Sequence, residues 1–137
     1  ASIHQRHRMD RAQMTKRIVT AMRQPWFKIW GHALGRYVLR RSPIECDLDE
    51  VLDAIAGSRA AIEVNGDPHR LDLEPRGLIE ARRRGIRFVA SCDAHSTVAL
   101  ENLRFAVDMA RRGGLASADV LNTLPVDAFR AEVRPAW

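Results

Sequence analysis

The spacing of apolar positions changes repeatedly along the chain, and each change marks an element. Ala1 to His4 reads as a strand stub, and Met14, Ile18, Ala21 and Met22 then recur at helical spacing. Pro25 closes that stretch, because proline brings no N–H and clashes with the preceding turn. The run Phe27 to Gly31 reads as a strand ending on His32. After a loop around Ser42-Pro43, Asp47 is placed to cap a helix carrying Leu48, Val51, Leu52 and Ile55 on one face, with Gly57 as its stop. Ala60 to Val64 predicts a third strand, leading into the turn-rich Asn65-Gly66-Asp67-Pro68. A helix from Pro75 to Arg84 ends at Gly85, Ile86 to Ala90 is a fourth strand, and Ser91 to His95 is the loop beyond it. The last helix carries Leu100, Leu103, Ala106, Val107 and Ala110 and ends at Gly113-Gly114. In the tail after it, Val120, Leu121 and Phe129 are core contacts.

This alternation predicts an α/β fold of parallel β/α units with helices outside the strands, as in a β/α barrel or an open sheet. Four strands are too few to close a barrel, for which about eight are usual. The chain reads as the later part of a larger unit. Left alone, its strand edges would favour a homo-oligomer or poor solubility.

Composition narrows the picture. The chain has 137 residues, 46% apolar and 28% charged, the balance of one globular domain. No stretch approaches the roughly 20 apolar residues of a membrane span, and the N-terminal sequence lacks the apolar segment of a signal peptide. Cys46 and Cys92 lie far apart and form no CxxC motif. A reducing, cytoplasmic setting with no membrane partner is therefore expected. The net charge of +5 rests almost entirely on arginine, with Lys16 and Lys28 the only lysines. Guanidinium groups match phosphate geometry, so DNA or a phosphorylated small molecule is the favoured substrate.

In parallel β/α folds the active site forms at the C-terminal ends of the strands. His4 ends the first predicted strand, His32 the second, and Asp93 and His95 follow the fourth. Imidazole nitrogen combined with carboxylate oxygen suits zinc, manganese or iron, and Asp-x-His lets one tight loop present both donors. His4, His32, Asp93 and His95 are thus the candidate metal ligands. His7 and His69 lie outside these strand ends and read as solvated groups or supports. Glu63 sits on a strand, either buried and hydrogen-bonded or reaching a ligand histidine. Arg36 and Arg70 are candidates for a substrate phosphate. Cys92 reads as a packed side chain, and no residue stands out as a general base.

Several segments, in order, carry a family resemblance: Ala1-Ser2-Ile3-His4, Gly31-His32-Ala33-Leu34-Gly35-Arg36, Ile62-Glu63-Val64-Asn65, Pro68-His69-Arg70-Leu71-Asp72-Leu73, Asp93-Ala94-His95-Ser96 and Leu121-Asn122-Thr123-Leu124-Pro125. Together they resemble the PHP (polymerase and histidinol phosphatase) domain, most closely the version at the C-terminus of bacterial family X DNA polymerases. The resemblance implies a distorted (β/α)7 variant of the parallel barrel with a metal cluster at its C-terminal rim. It places His4, His32, Asp93 and His95 on metal-binding positions, with manganese or zinc, and iron as a third option, as cofactors. It implies a phosphoesterase of the 3′-5′ exonuclease type in DNA repair, with a polymerase domain in the same parent chain. The alternatives are a small-molecule phosphatase of the histidinol phosphatase type and a catalytically inactive remnant with a structural role. The family's earlier ligands, including a His-x-His pair, precede the segment that opens this chain. Residues 1–137 therefore read as the C-terminal portion of one PHP domain whose first half is absent. Ala33-Leu34 stands where relatives often carry proline and threonine, and Gly66-Asp67 replaces a more usual small-residue pair.

Overall fold

The computed structural model describes residues 1–133, so the last four residues of the expected span lie outside it. Three parallel strands in the order β1-β2-β3 form the sheet: β1 (Ile29–Trp30), β2 (Ala61–Asn65) and β3 (Phe88–Ser91). The expected α/β arrangement of parallel strands linked by helices is present. A barrel is not formed by these strands.

The predicted stub at the N-terminus does pair, although too briefly to count as a strand. The Ala1 amino group donates to Ile29 O at 2.6 Å, and Gly31 N–H donates to Ala1 O at 2.9 Å, the pattern of a parallel bridge alongside Trp30. On the opposite edge Val120 bridges Phe88 in parallel. Asn122 extends that edge with its side chain, accepting from Ala90 N–H at 2.7 Å and donating to Ala90 O at 3.1 Å. A side-chain amide has the donor and acceptor of a peptide, so it closes an edge that would otherwise stay open.

Register puts Trp30, Ile62 and Phe88 side by side on one face, and all three are fully buried. The neighbouring face is half covered at Ile29, Glu63 and Val89. Helices α1 (Arg11–Met22) and α2 (Leu48–Ser58) pack on each other, and α4 (Leu103–Arg112) lies against β2 and β3. Between α2 and α4 sits α3 (Pro75–Arg83). Asp47 caps α2 as expected, accepting from Glu50 N–H at 3.3 Å, and Asp10, not singled out in the sequence, caps α1 by accepting from Gln13 N–H at 2.8 Å. Gly57 does not stop α2. The helix runs one residue further and ends on Arg59 in the left-handed region at φ 61°. A helix missed in the sequence, α5 (Val126–Glu132), follows Pro125 and carries no buried residue and no side-chain cap.

The buried face of α4 is only partly the expected one. Ala106 and Ala110 face the core as expected, together with Met109, whereas Leu100, Leu103 and Val107 are exposed. The cause is how closely this helix approaches the loop after β2. A Cβ at Gly66 would stand 2.6 Å from Asn102 O and 2.7 Å from Ala106 N, so only small residues fit this seam.

Because the atoms that meet this Cβ are backbone atoms of α4, Gly66→Ala has to displace the helix. It is expected to cost about 1–3 kcal/mol in chemical denaturation, the range of overpacked sites. Gly57→Ala meets nothing within 4 Å and is expected to be neutral or stabilising.

Candidate functional site

Two loops at the C-terminal ends of β1 and β2 hold each other in place. His32, two residues beyond β1, has φ 29°, and its N–H donates to Glu63 Oε2. The same oxygen accepts from Asn65 Nδ2 at 3.1 Å. Glu63 is thus a half-buried, hydrogen-bonded carboxylate that touches the backbone of His32 and not its ring. Leu34 N–H donates to Asp72 Oδ2 at 3.0 Å. Arg36 answers in the other direction, with Nε donating to Arg70 O and Nη2 to Leu71 O, both at 2.6 Å, while Nη1 lies 3.5 Å from Glu74. Read in the sequence as a phosphate contact, Arg36 has its fork committed to the neighbouring loop.

The other predicted residues stand around this clasp. His32 is buried, its ring edge-on to that of His4 with centroids 4.9 Å apart. Its Nδ1 is buried without a hydrogen-bond partner. Burial, reinforced by the charge of Arg70, lowers the His32 pKa and keeps the ring neutral, with its lone pair available. Asp93 has φ 51° and pairs with Arg70, Nε to Oδ2 at 2.8 Å. Asp67 lies on the other side of that arginine at 3.8 Å, and Arg70 Nη1 is buried without a partner. His95 is exposed and donates from Nδ1 to Asp93 O at 2.6 Å, which leaves Nε2 as the lone-pair nitrogen.

The structure therefore gathers His4 with His32, and Asp93 with Arg70. Among the described residues, no group of three or more His, Cys, Asp or Glu side chains is arranged to hold a metal ion. The donor types and the open Nδ1 of His32 fit a divalent cation in kind. His7 is half-buried and donates from Nε2 to Ile3 O at 3.1 Å, a support rather than a rim group. Burial pushes the Cys46 thiol up to about 11, so it is inert at neutral pH. Sequence reasoning passed over Tyr37 and gave Asp72 no role. The signal for Asp72 was present as a carboxylate between two leucines; Tyr37 offered none, because its contacts are all tertiary.

Fold and rim together define a parallel α/β domain with histidine, aspartate and arginine at the ends of its strands. No protein-family model matches the chain. It is 33% identical over 122 residues to the DNA polymerase/3′-5′ exonuclease PolX of Bacillus subtilis (strain 168). That match takes in 89% of this chain but only 21% of the curated relative. The chain is related to PolX over a small part of that protein's length. Among the described residues, no helix is long and apolar enough to cross a membrane.

Asp72 gives the clasp a pH signature. Burial raises its pKa from 3.8 to about 6, while the charge of Arg36 and the N–H groups of Leu34, Gly35 and Arg36 pull the other way. The folded state therefore holds this proton more tightly than the unfolded chain. Its contribution to stability is complete below the unfolded value and is lost as pH rises through about 6. In Asp72→Asn the side-chain oxygen still accepts from Leu34, without a charge to desolvate. Relative to wild type, this variant is expected to gain up to about 3 kcal/mol between pH 4 and pH 7, measured by urea denaturation. A stability difference that stays flat across that range would contradict the account.

Proposed function

We propose that this chain is the C-terminal portion of a PHP-type barrel, and that the complete domain is a metal-dependent phosphodiesterase removing nucleotides from DNA 3′ ends. The observation that carries this reading is His32, a buried, neutral imidazole with an unpartnered Nδ1, edge-on to His4 and near enough to Asp93 to feel its charge. The likeness to a 3′-5′ exonuclease supplies the substrate class. The half-covered sheet face at Ile29, Glu63 and Val89 is a surface that the interior of a larger barrel would enclose.

In this reading His4, His32, Asp93 and His95 hold manganese or zinc together with donors from the rest of the domain. Such ions would activate water and neutralise charge developing on a phosphoryl group. The chain's own residues supply positioning. Glu63 fixes the backbone of His32, and the bond from His95 Nδ1 to Asp93 O sets the ring tautomer that leaves Nε2 free. Arg70 orients the Asp93 carboxylate through Nε. Its positive charge beside Asp93 would help to balance the charge on a bound phosphate.

The test uses the full-length parent protein with added manganese or zinc. Release of nucleotides from single-stranded DNA is expected, well ahead of phosphate release from a simple monoester. Asp93→Ala and His32→Ala should each lower kcat/KM by more than the roughly 10- to 100-fold that loss of an outer support costs. Faster turnover of the monoester would shift the assignment to a small-molecule phosphatase. No metal-dependent hydrolysis of either substrate, with Asp93→Ala without effect, would overturn it.

A further inference from the structure

A short hairpin follows the clasp and leans on it. Tyr37 N–H donates to Arg41 O at 2.8 Å and Arg41 N–H to Tyr37 O at 2.7 Å, so residues 37–41 close on themselves. Val38 N–H donates to His69 O at 2.7 Å and ties the hairpin to the loop after β2. Across this junction the rings of Tyr37 and His69 stack in parallel, interplanar angle 0° and centroids 5.6 Å apart. The guanidinium groups of Arg40 and Arg70 lie 5.7 and 5.4 Å from the Tyr37 ring. Arg40 and Arg41 are exposed, and among the described residues neither forms an ion pair. At the tip, Leu39 is fully exposed with φ 63°.

Arg41 spends its Nε on Gly35 O at 2.8 Å and keeps its two Nη groups. The backbone bonds hold the hairpin in place, but they do not account for a fully exposed leucine, two exposed arginines without an ion pair and an aromatic stack at the surface. These are the ingredients of a surface that holds single-stranded nucleic acid: planar rings for bases and cations for the backbone. Arg70 joins the hairpin to the candidate rim, because the guanidinium beside Tyr37 is the one bonded to Asp93 at 2.8 Å. An open cleft of about 450 Å³ runs along residues 36–43, within the roughly 300–1,000 Å³ of small-ligand sites.

We propose that the Tyr37–His69 stack, flanked by Arg40 and Arg41, is a shelf for a base of a single polynucleotide strand whose phosphate reaches the rim beside Arg70 and Asp93. The exposed His69 ring carries Tyr37 on one face, so a base arriving on the other extends a stack already two rings deep. Arg40 and Arg41 neutralise the adjoining phosphates. Leu39 packs against the next base. The assignment rests on the phosphodiesterase reading for its direction along the strand, and its recognition chemistry can be tested separately.

The experiment compares binding of two strands of equal length and charge by the full-length protein, oligo-dT and its abasic counterpart, using fluorescence anisotropy without divalent metal. Wild-type protein is expected to bind oligo-dT roughly 10-fold more tightly, on the order of one stacked base. Tyr37→Leu and His69→Ala should each abolish that preference while retaining affinity for the abasic strand. Tyr37→Phe should keep the preference, which separates stacking from misfolding. Arg40→Gln should weaken both strands alike and flatten the salt dependence. Equal wild-type affinity for the two strands, or a preference that survives Tyr37→Leu, overturns the shelf. Manganese-dependent hydrolysis of bis(p-nitrophenyl) phosphate, read alongside, reports on the rim alone. If it proceeds without a base preference, the shelf falls and the phosphodiesterase reading stands; a base preference without hydrolysis gives the reverse.

Discussion

Everything that faces the rim depends on two loops that have no regular structure of their own and are held by each other. Asp72 accepts from Leu34 N–H, Arg36 donates to the carbonyls of Arg70 and Leu71, and Glu63 accepts from His32 N–H. Each bond crosses from one loop, or its strand, to the other. Charged groups serve where neutral ones would be weaker, because a charge-assisted bond in a half-buried setting is worth about twice a neutral one. The cost is desolvation of Asp72, whose second oxygen is buried without a partner. Backbone strain at His32, in the left-handed region, is sustained because these bonds over-determine the local geometry, and Asp93, also at positive φ, is held by Arg70.

The clasp divides the arginines into two kinds. Arg36 is spent on carbonyl oxygens and is part of the scaffold. Arg70 stands between the scaffold and the rim, with Nε on Asp93 and Nη1 unpartnered. Its charge also helps to keep His32 neutral, so one side chain orients a candidate carboxylate ligand and preserves the lone pair of a candidate imidazole ligand. An arrangement built only for stability would pair Arg70 fully and leave His32 no reason to be buried.

Legibility in the sequence followed the range of the interactions involved. Helices α1 to α3 and strands β2 and β3 were readable because periodicity, caps and turn residues are local signals, and Asp47 acts as such a cap. The face of α4 was read too wide: Ala106 and Ala110 are buried as expected, but Leu100, Leu103 and Val107 were counted with them although only small residues dock against Gly66. Close backbone approach reverses the usual preference for burying the larger side chains. Helix α5 was missed because it buries nothing and so has no pattern to show. The places of His32, Asp93 and His95 beyond strand ends, and of His4 beyond the N-terminal bridge, were legible because strand ends carry local signals. The work of Arg36 and Asp72 was not, since residues 36 and 72 are far apart in sequence and meet only after folding. Gly57 shows the limit of a composition rule: α2 passes over it and ends on a strained Arg59.

In the proposed reading the rim is a set of donors for a divalent cation, with the imidazole of His32 as its most constrained member. The cation is then expected between the histidines rather than on the surface carboxylates Asp49, Asp53 and Glu80 that pair with Arg84. Manganese titration followed by NMR on the chain with labelled histidines tests this directly, because the paramagnetic ion broadens the nuclei nearest to it. The ring signals of His4 and His32 should broaden first, ahead of the amides around Asp49 and Asp53. Broadening confined to those carboxylates, with both rings unaffected, would contradict the account.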